Sequence, residues 1–391
     1  MMYVVDQMMG AGKTSAAINY INSHPDKKFM FIAHYLDEAD RIKNSAYQHF
    51  STPEPSPTKT ADIKRLIKYG RNIASTHELF KKFDNEVMQL IEANEYTLII
   101  DEVLDVISQY DISPEDICTL QEKYVEVGEN GVLKWTDSGY LRGKFEIERN
   151  LCELGCLVKQ SDSCLLWMLP LKLFSVFKNV FVLTYMFDGS MQKHYYDLNN
   201  VDYKYKYVDC IDGIYYFTDI KSNFKVDKNK IHICEHEKLN EIGKGYTDLS
   251  KSWYSRNQDR IPELKNNVYN YFRNVVHVPS KYTMWTTFKM YIKNIKGKGY
   301  SKGFLSCNTN ATNKMRNRFV LAYTVNRYMH TPVANYLYSR GVNVDQDKFA
   351  LSEMVQWLWR SRIRDGKDIY VYIPSSRMRN LLKTWIEENG E

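Results

Sequence analysis

A lysine and a threonine placed just after a glycine can grip a phosphate chain. Gly10-Ala11-Gly12-Lys13-Thr14 offers that arrangement, directly after the apolar run Tyr3-Val4-Val5 and before a helical segment from Ser15 to Asn22. Glycine lets the backbone wrap so that N–H groups face phosphate oxygens, and the start of the following helix adds positive potential. Lys13 can reach β- and γ-phosphates, and the Thr14 hydroxyl can ligate Mg²⁺. The pattern is that of a P-loop, with Gln7 standing where a first glycine is usual.

A second chemical pair lies downstream. The run Tyr96-Thr97-Leu98-Ile99-Ile100 ends in Asp101-Glu102. Two adjacent carboxylates at the tip of a buried strand can divide the work beside a phosphate site. Asp101 is the candidate to hold the metal, and Glu102 the candidate to orient and deprotonate the attacking water. A third set is cationic: Gln356, Arg360 and Arg364 fall at steps of four, which puts them on one face if residues 350–366 are helical. Arginine's fixed, charged fork suits stabilisation of a transferring phosphoryl group.

Such groups need strands to carry them. Lys28–Ala33, Asn72–His77, Tyr96–Ile100 and Asn179–Gly189 read as short apolar strands, several of them ending on polar residues and separated by helical segments. That alternation builds a parallel sheet with ligands at its carboxyl edge. Residues 104–175 read as an insertion, with a hairpin turning at Asn130-Gly131. Farther on, Ile231–Cys234 and Val275–Val278 are strand candidates, and the Lys- and Tyr-rich stretch 281–302 reads as helix plus loop. A small-polar run closes Phe304–Asn313, and Phe319–Tyr323 and Ile369–Ile373 are further strands.

With 391 residues the chain can form two domains with proper cores, and the expected division is 1–190 and 191–391. No apolar stretch approaches a membrane span and no signal peptide is expected, so no membrane partner is anticipated. Seven scattered cysteines without Cys-x-x-Cys spacing read as reduced thiols of a cytoplasmic protein. The net charge of +6 conceals an asymmetry. Residues 1–187 carry 20 Lys+Arg against 26 Asp+Glu, and the remainder carries 33 against 21. A basic second half suggests that it binds a polyanion, the alternative being unevenly distributed solvated charge, and tyrosines interleaved with lysine, as in Tyr203–Tyr207, suit either stacking on single-stranded bases or an ordinary amphipathic strand.

In their order these residues resemble the two-lobed helicases of superfamily 2, in a form common in phage genomes. Met9–Thr14 matches motif I, Asp101-Glu102 the start of motif II, and Gln356-x-x-x-Arg360 with Arg364 beyond it looks like motif VI. Motif II continues Val103-Leu104, Trp359 takes the place of the usual glycine, and Arg362 and Arg364 compete as the second finger. The resemblance implies two RecA-like α/β P-loop NTPase domains with parallel sheets, with ATP and Mg²⁺ held between the lobes. Nucleotide binding would fall to Gly10, Ala11, Gly12, Lys13, Thr14 and Ser15, the metal to Thr14 and Asp101, and catalysis to Lys13, Glu102, Gln356, Arg360 and Arg364. His34, Tyr35, Thr76, His77, Thr184, Asn308 and Thr309 would meet the nucleic-acid strand.

The implied activity is an ATP-driven helicase or translocase on single-stranded or forked DNA, with RNA as the open alternative. Phage replication, replication-protein partners and the cytoplasm of a bacterial host follow from the same resemblance. A DNA-packaging motor, a P-loop nucleoside kinase and an ATP-gated nucleic-acid clamp with little turnover are the competing readings. Turnover separates clamp from motor, acceptor phosphorylation marks a kinase, and unwinding favours a helicase over a packaging motor. Oligomeric state is not legible in the residues.

Overall fold

A computed structural model describes residues 1–140, 142–221, 225–308 and 314–391. The chain forms two compact units. The first comprises Met1–Gln7, Ala11–Ser222 and His330–Val344, and the second Met8–Gly10, Asn223–Met329 and Asp345–Glu391. The first unit therefore runs on past residue 190, where the sequence suggested a division.

The strands of the first unit's main sheet begin with β1 (Met2–Asp6), β2 (Phe29–Ala33), β3 (Phe50–Ser51), β4 (Asn72–Thr76) and β5 (Thr97–Asp101). An insertion then carries β6 (Ile107–Gln109), β7 (Val125–Val127), β8 (Leu133–Trp135), β9 (Leu157–Ser161) and β10 (Cys164–Met168). The main sheet resumes with β11 (Asn179–Thr184), β12 (Tyr203–Ile211) and β13 (Ile214–Thr218). Its order is β13-β12-β1-β11-β5-β2-β4-β3. All pairings are parallel except the terminal hairpin β12–β13.

The central strands are continuous apolar runs because helices cover both faces of a parallel sheet. Phe29 through Ala33 are all buried, as are Leu98, Ile99 and Ile100. The β12–β13 turn uses Asp212 at φ 51° and Gly213 at φ 77°, the paired left-handed conformation that a two-residue hairpin favours. The Asn130-Gly131 turn between β7 and β8 forms as expected, with both residues at positive φ. The insertion has its own small core of Ile117, Leu120, Val125, Leu133, Phe145, Cys152, Leu157 and Leu165. The helix Thr331–Ser339 belongs to this unit, and its Tyr336 hydroxyl donates to the Asn130 carbonyl at 2.9 Å.

The second unit is built on a four-stranded sheet of β14 (Ile231–Ile233), β15 (Thr283–Thr286), β16 (Val320–Tyr323) and β17 (Ile369–Tyr372). The order is β14-β17-β16-β15 and every pairing is parallel. Three sequence expectations need correction here. Val275–Val278 is not a strand: a π-helical turn occupies Tyr271–Val275 and the chain then loops. The missed strand is β15, inside the stretch read as helix plus loop, where Thr283, Met284, Trp285 and Thr286 are all buried. The third concerns residues 350–366, which do not make one helix.

The helix Gln346–Leu358 ends shortly before Ser361, whose backbone is extended at φ −92° and ψ −172° and whose hydroxyl donates to the Leu358 carbonyl at 2.6 Å. A separate 3₁₀ turn holds Arg362–Asp365. Gln356 therefore lies on the helix, Arg360 just past its end, and Arg364 in the turn, so the four-residue stripe is not a continuous helical face.

Candidate active site

Strand β1 delivers the chain to the loop at Asp6, beside the ends of β11 and β5. Register pairs Asp6 with Thr184 and Leu183 with Asp101. The Gln7 N–H donates to the Thr184 carbonyl at 3.0 Å, extending this pairing one residue into the loop. Gly10 and Gly12 adopt φ 88° and 86°, a left-handed backbone that side chains disfavour. Gly12 caps the helix Lys13–Asn22, and its carbonyl accepts the first helical bond from Ala16 at 2.8 Å. A side chain at Gly12 would also collide with the Tyr215 ring of β13.

Lys13 Nζ donates to the Gln7 carbonyl at 2.5 Å, so the lysine folds back over its own loop. Thr14 Oγ1 reaches Asp101 Oδ2 at 3.4 Å. The hydroxyl and the carboxylate that sequence reasoning assigned to a metal thus stand together. Burial raises the Asp101 carboxyl to about 6, and the like charge of Glu102 adds to the rise. A hard cation would relieve that cost. Two hard oxygens suit Mg²⁺, which takes one or two protein ligands and completes its shell with phosphate and water. Among the described residues no larger cluster of His, Cys, Asp and Glu suggests another metal.

Glu102 carries φ 72°. A left-handed glutamate costs on the order of 1–3 kcal/mol, and such strain concentrates at functional sites. Its N–H is held by the Leu183 carbonyl at 2.9 Å, which fixes the sharp turn off the strand.

Behind this pair stand two histidines. His77 is 3% exposed, and its Nε2 lies 3.1 Å from the Asp101 carbonyl, which assigns the proton to that nitrogen. Burial lowers the His77 imidazole to about 4, so it is neutral at physiological pH. The His34 ring meets it edge-on, with centroids 5.2 Å apart. Burial also lowers His34, against the opposing pull of Glu102.

The other residues expected at the nucleic-acid strand lie as follows. Thr76 Oγ1 accepts the Leu79 N–H and caps a short helix. Thr184 is 4% exposed. Tyr35 is exposed at the start of the helix Leu36–Ser45. In the second unit Asn308 is exposed and accepts the Ser306 hydroxyl at 2.6 Å. Thr309 lies outside the described residues.

The contest between Arg362 and Arg364 has a structural side. Arg362 stacks 3.9 Å from the Phe319 ring centroid and donates to the Asp368 carbonyl at 2.5 Å, so its guanidinium is engaged within its own unit. Arg364 is exposed, whereas Arg360 is buried.

Sequence reasoning missed Asp6 and Gln192. The two oxygens of Asp6 accept the Met186 and Phe187 N–H groups at 2.8 and 3.1 Å, tying the loop after β11 to the strand that feeds the P-loop. Met186 sits in the left-handed region at φ 56°, held there by this carboxylate. The available signal was a carboxylate ending an apolar strand, the same pattern that marked Asp101. Gln192, fully buried, accepts the Leu104 N–H at 2.9 Å and steadies the chain just beyond Glu102.

Two stretches match described families. Residues 225–386 match one described as the YonV C-terminal Rossmann-like domain, and residues 107–167 match the YonV middle domain, which coincides with the insertion. A Bacillus subtilis (strain 168) protein described as "SPbeta prophage-derived uncharacterized protein YonV" is 37% identical over 403 residues, covering 98% of each chain. Among solved structures, S. tokodaii Xpd4 superposes with a TM-score of 0.53 at 10% identity, over 98% of this chain and 94% of that one. A structure described as an XPD helicase gives the same score and identity over 100% and 95%. At that identity the likeness is one of fold: a mixed α/β, two-domain architecture with parallel sheets, as in XPD-type helicases.

Proposed function

The chain belongs to the YonV family, and from that premise we propose that it is an ATP-dependent nucleic-acid motor, a helicase or translocase acting on DNA. One observation carries the reading. The Thr14 hydroxyl meets the Asp101 carboxylate at the foot of a P-loop, next to a glutamate held in a strained turn. A phosphate-binding loop alone fits many proteins. Coupled to a strand-end Asp-Glu pair and an XPD-type fold, it supports hydrolysis that drives movement along a strand. The XPD helicase similarity is the reason for preferring nucleic acid as the track.

In this reading Gly10 through Ser15 cradle the phosphates of ATP, and Lys13 leaves the Gln7 carbonyl to pair with them. Bound Mg²⁺ would supply the charge that offsets the β- and γ-phosphates, with Thr14 and Asp101 as its protein ligands. Glu102 takes the proton of the attacking water. His77 holds the Asp101 main chain in place, and Gln192 holds Leu104. Gln356, Arg360 and Arg364 are proposed to act on the transferring phosphoryl group, with Arg364 favoured over Arg362 because it is the more exposed of the two. The prophage origin of the relative supports a phage setting.

The test is strand displacement from a forked duplex with and without ATP. ATP-dependent release would mark a helicase. Movement without unwinding would mark a translocase, and neither activity would overturn the motor reading.

A further inference from the structure

We infer that the segment following β15 is a backbone-binding surface for nucleic acid, lying along the outer edge of the second unit's sheet. The inference rests on the motor reading above and adds where the strand is held.

From residue 264 to residue 344 the sequence carries 13 Lys and Arg and not one Asp or Glu. At the chain's own average about ten carboxylates would fall there. Five of these cations fall between residues 287 and 303. β15 is an edge strand whose only ladder partner among the described residues is β16. The chain leaves its carboxyl end at Thr287 and runs back along it. It rejoins the strand where Phe304 bridges Trp285 and the Leu305 N–H donates to the Trp285 carbonyl at 2.9 Å.

The inner side of this segment is anchored. Ile295 and Tyr300 are fully buried, the Tyr300 hydroxyl donates to the Ile295 carbonyl at 2.6 Å, and Trp285 Nε1 donates to the Tyr300 carbonyl at 2.9 Å. Its outer side presents Lys289, Lys293, Lys296, Lys298 and Lys302, all exposed. Arg273 joins them from another element, because its Nε lies 3.2 Å from where a side chain at Gly299 would begin. None of these six cations makes an ion pair among the described residues. Elsewhere, exposed lysines such as Lys68, Lys144 and Lys178 do find carboxylates.

A rigid edge with unpaired cations and no countercharge is an electrostatic footprint for a polyanion. Two kinds of polyanion are common. A lipid surface also rewards inserted apolar side chains, and among residues 287–303 only Met290 is a large apolar group left exposed. A phosphodiester backbone asks for cations alone, and it is the partner these observations favour.

The test replaces four lysines together: Lys289→Gln, Lys293→Gln, Lys296→Gln and Lys298→Gln. All four are exposed, so the melting temperature and the hydrolysis rate without nucleic acid should not change. Binding of a fluorescent single-stranded oligonucleotide is followed by anisotropy across a salt series. Each lost phosphate contact should flatten the slope of log K against log salt by about 0.7, or ~2.8 for four. A fourfold rise in salt should then cost the natural protein about 50-fold more affinity than the variant. An unchanged slope with strong binding overturns this placement and leaves the motor reading standing. A natural protein that binds no oligonucleotide overturns both. Oligonucleotide binding that survives while capture on phosphatidylserine vesicles is lost would overturn it in favour of a lipid surface.

Discussion

At pH 7 the charge on Asp101 works against the fold. The carboxyl is raised from 3.8 to about 6, chiefly by burial and next by Glu102. A raised carboxyl binds its proton more tightly when folded, so stability is greatest below 3.8 and is lost as pH rises through about 6. At roughly 1.4 kcal/mol per tenfold change in proton affinity, the full loss is ~3 kcal/mol. Asp101→Asn keeps the shape and removes the charge. The variant should therefore be more stable than the natural protein by ~1.5 kcal/mol at pH 5 and ~3 kcal/mol at pH 7.5. Urea unfolding of both proteins across that range measures the difference directly. Magnesium should stabilise the natural protein and not the variant, because the cation relieves the same buried charge. A difference that stays constant from pH 5 to 7.5, or an Asn variant less stable at pH 7.5, would refute the reasoning.

Two further predictions concern the same sheet edge. His77 is lowered from 6.5 to about 4 by burial, so its contribution runs the other way: present above 6.5 and lost as pH falls toward 4. Between pH 7 and pH 5 this should cost ~2 kcal/mol, and His77→Gln, which keeps a donor for the Asp101 carbonyl, should abolish that part of the acid sensitivity in the same unfolding series. Glu102→Gln should leave nucleotide affinity within a few-fold while lowering turnover by about 10²–10⁴, as expected when a general base is removed; equilibrium binding and steady-state rates separate the two.

Much of this was legible in the residues. β1, β5 and β11 announced themselves as apolar runs because a central parallel strand is buried on both faces. The P-loop and Asp101 announced themselves because their chemistry needs particular residue types at a strand end. β15 did not, because its outer residues are threonines and its flanks are rich in tyrosine and lysine, so nothing in its composition separates it from a loop. In β12 the alternation of tyrosine and lysine over Tyr203–Tyr207 suited an amphipathic strand as well as base stacking, so the pattern alone did not decide between them. Spacing by four suggested one helix through Arg364, yet the helix ends at Leu358 and the backbone turns extended at Ser361. Asp6 was missed because the amides it serves lie 180 residues away along the chain, a pairing no local pattern encodes.

The central claim, that this chain couples nucleotide hydrolysis to a nucleic-acid strand, is tested most directly by steady-state ATP hydrolysis with and without single-stranded DNA. Lys13→Ala and Arg364→Ala serve as controls, the second at an exposed residue whose loss should spare the fold. The account predicts strong stimulation by DNA that both substitutions abolish. Hydrolysis indifferent to any nucleic acid, or stimulation that survives the loss of Lys13, would contradict it.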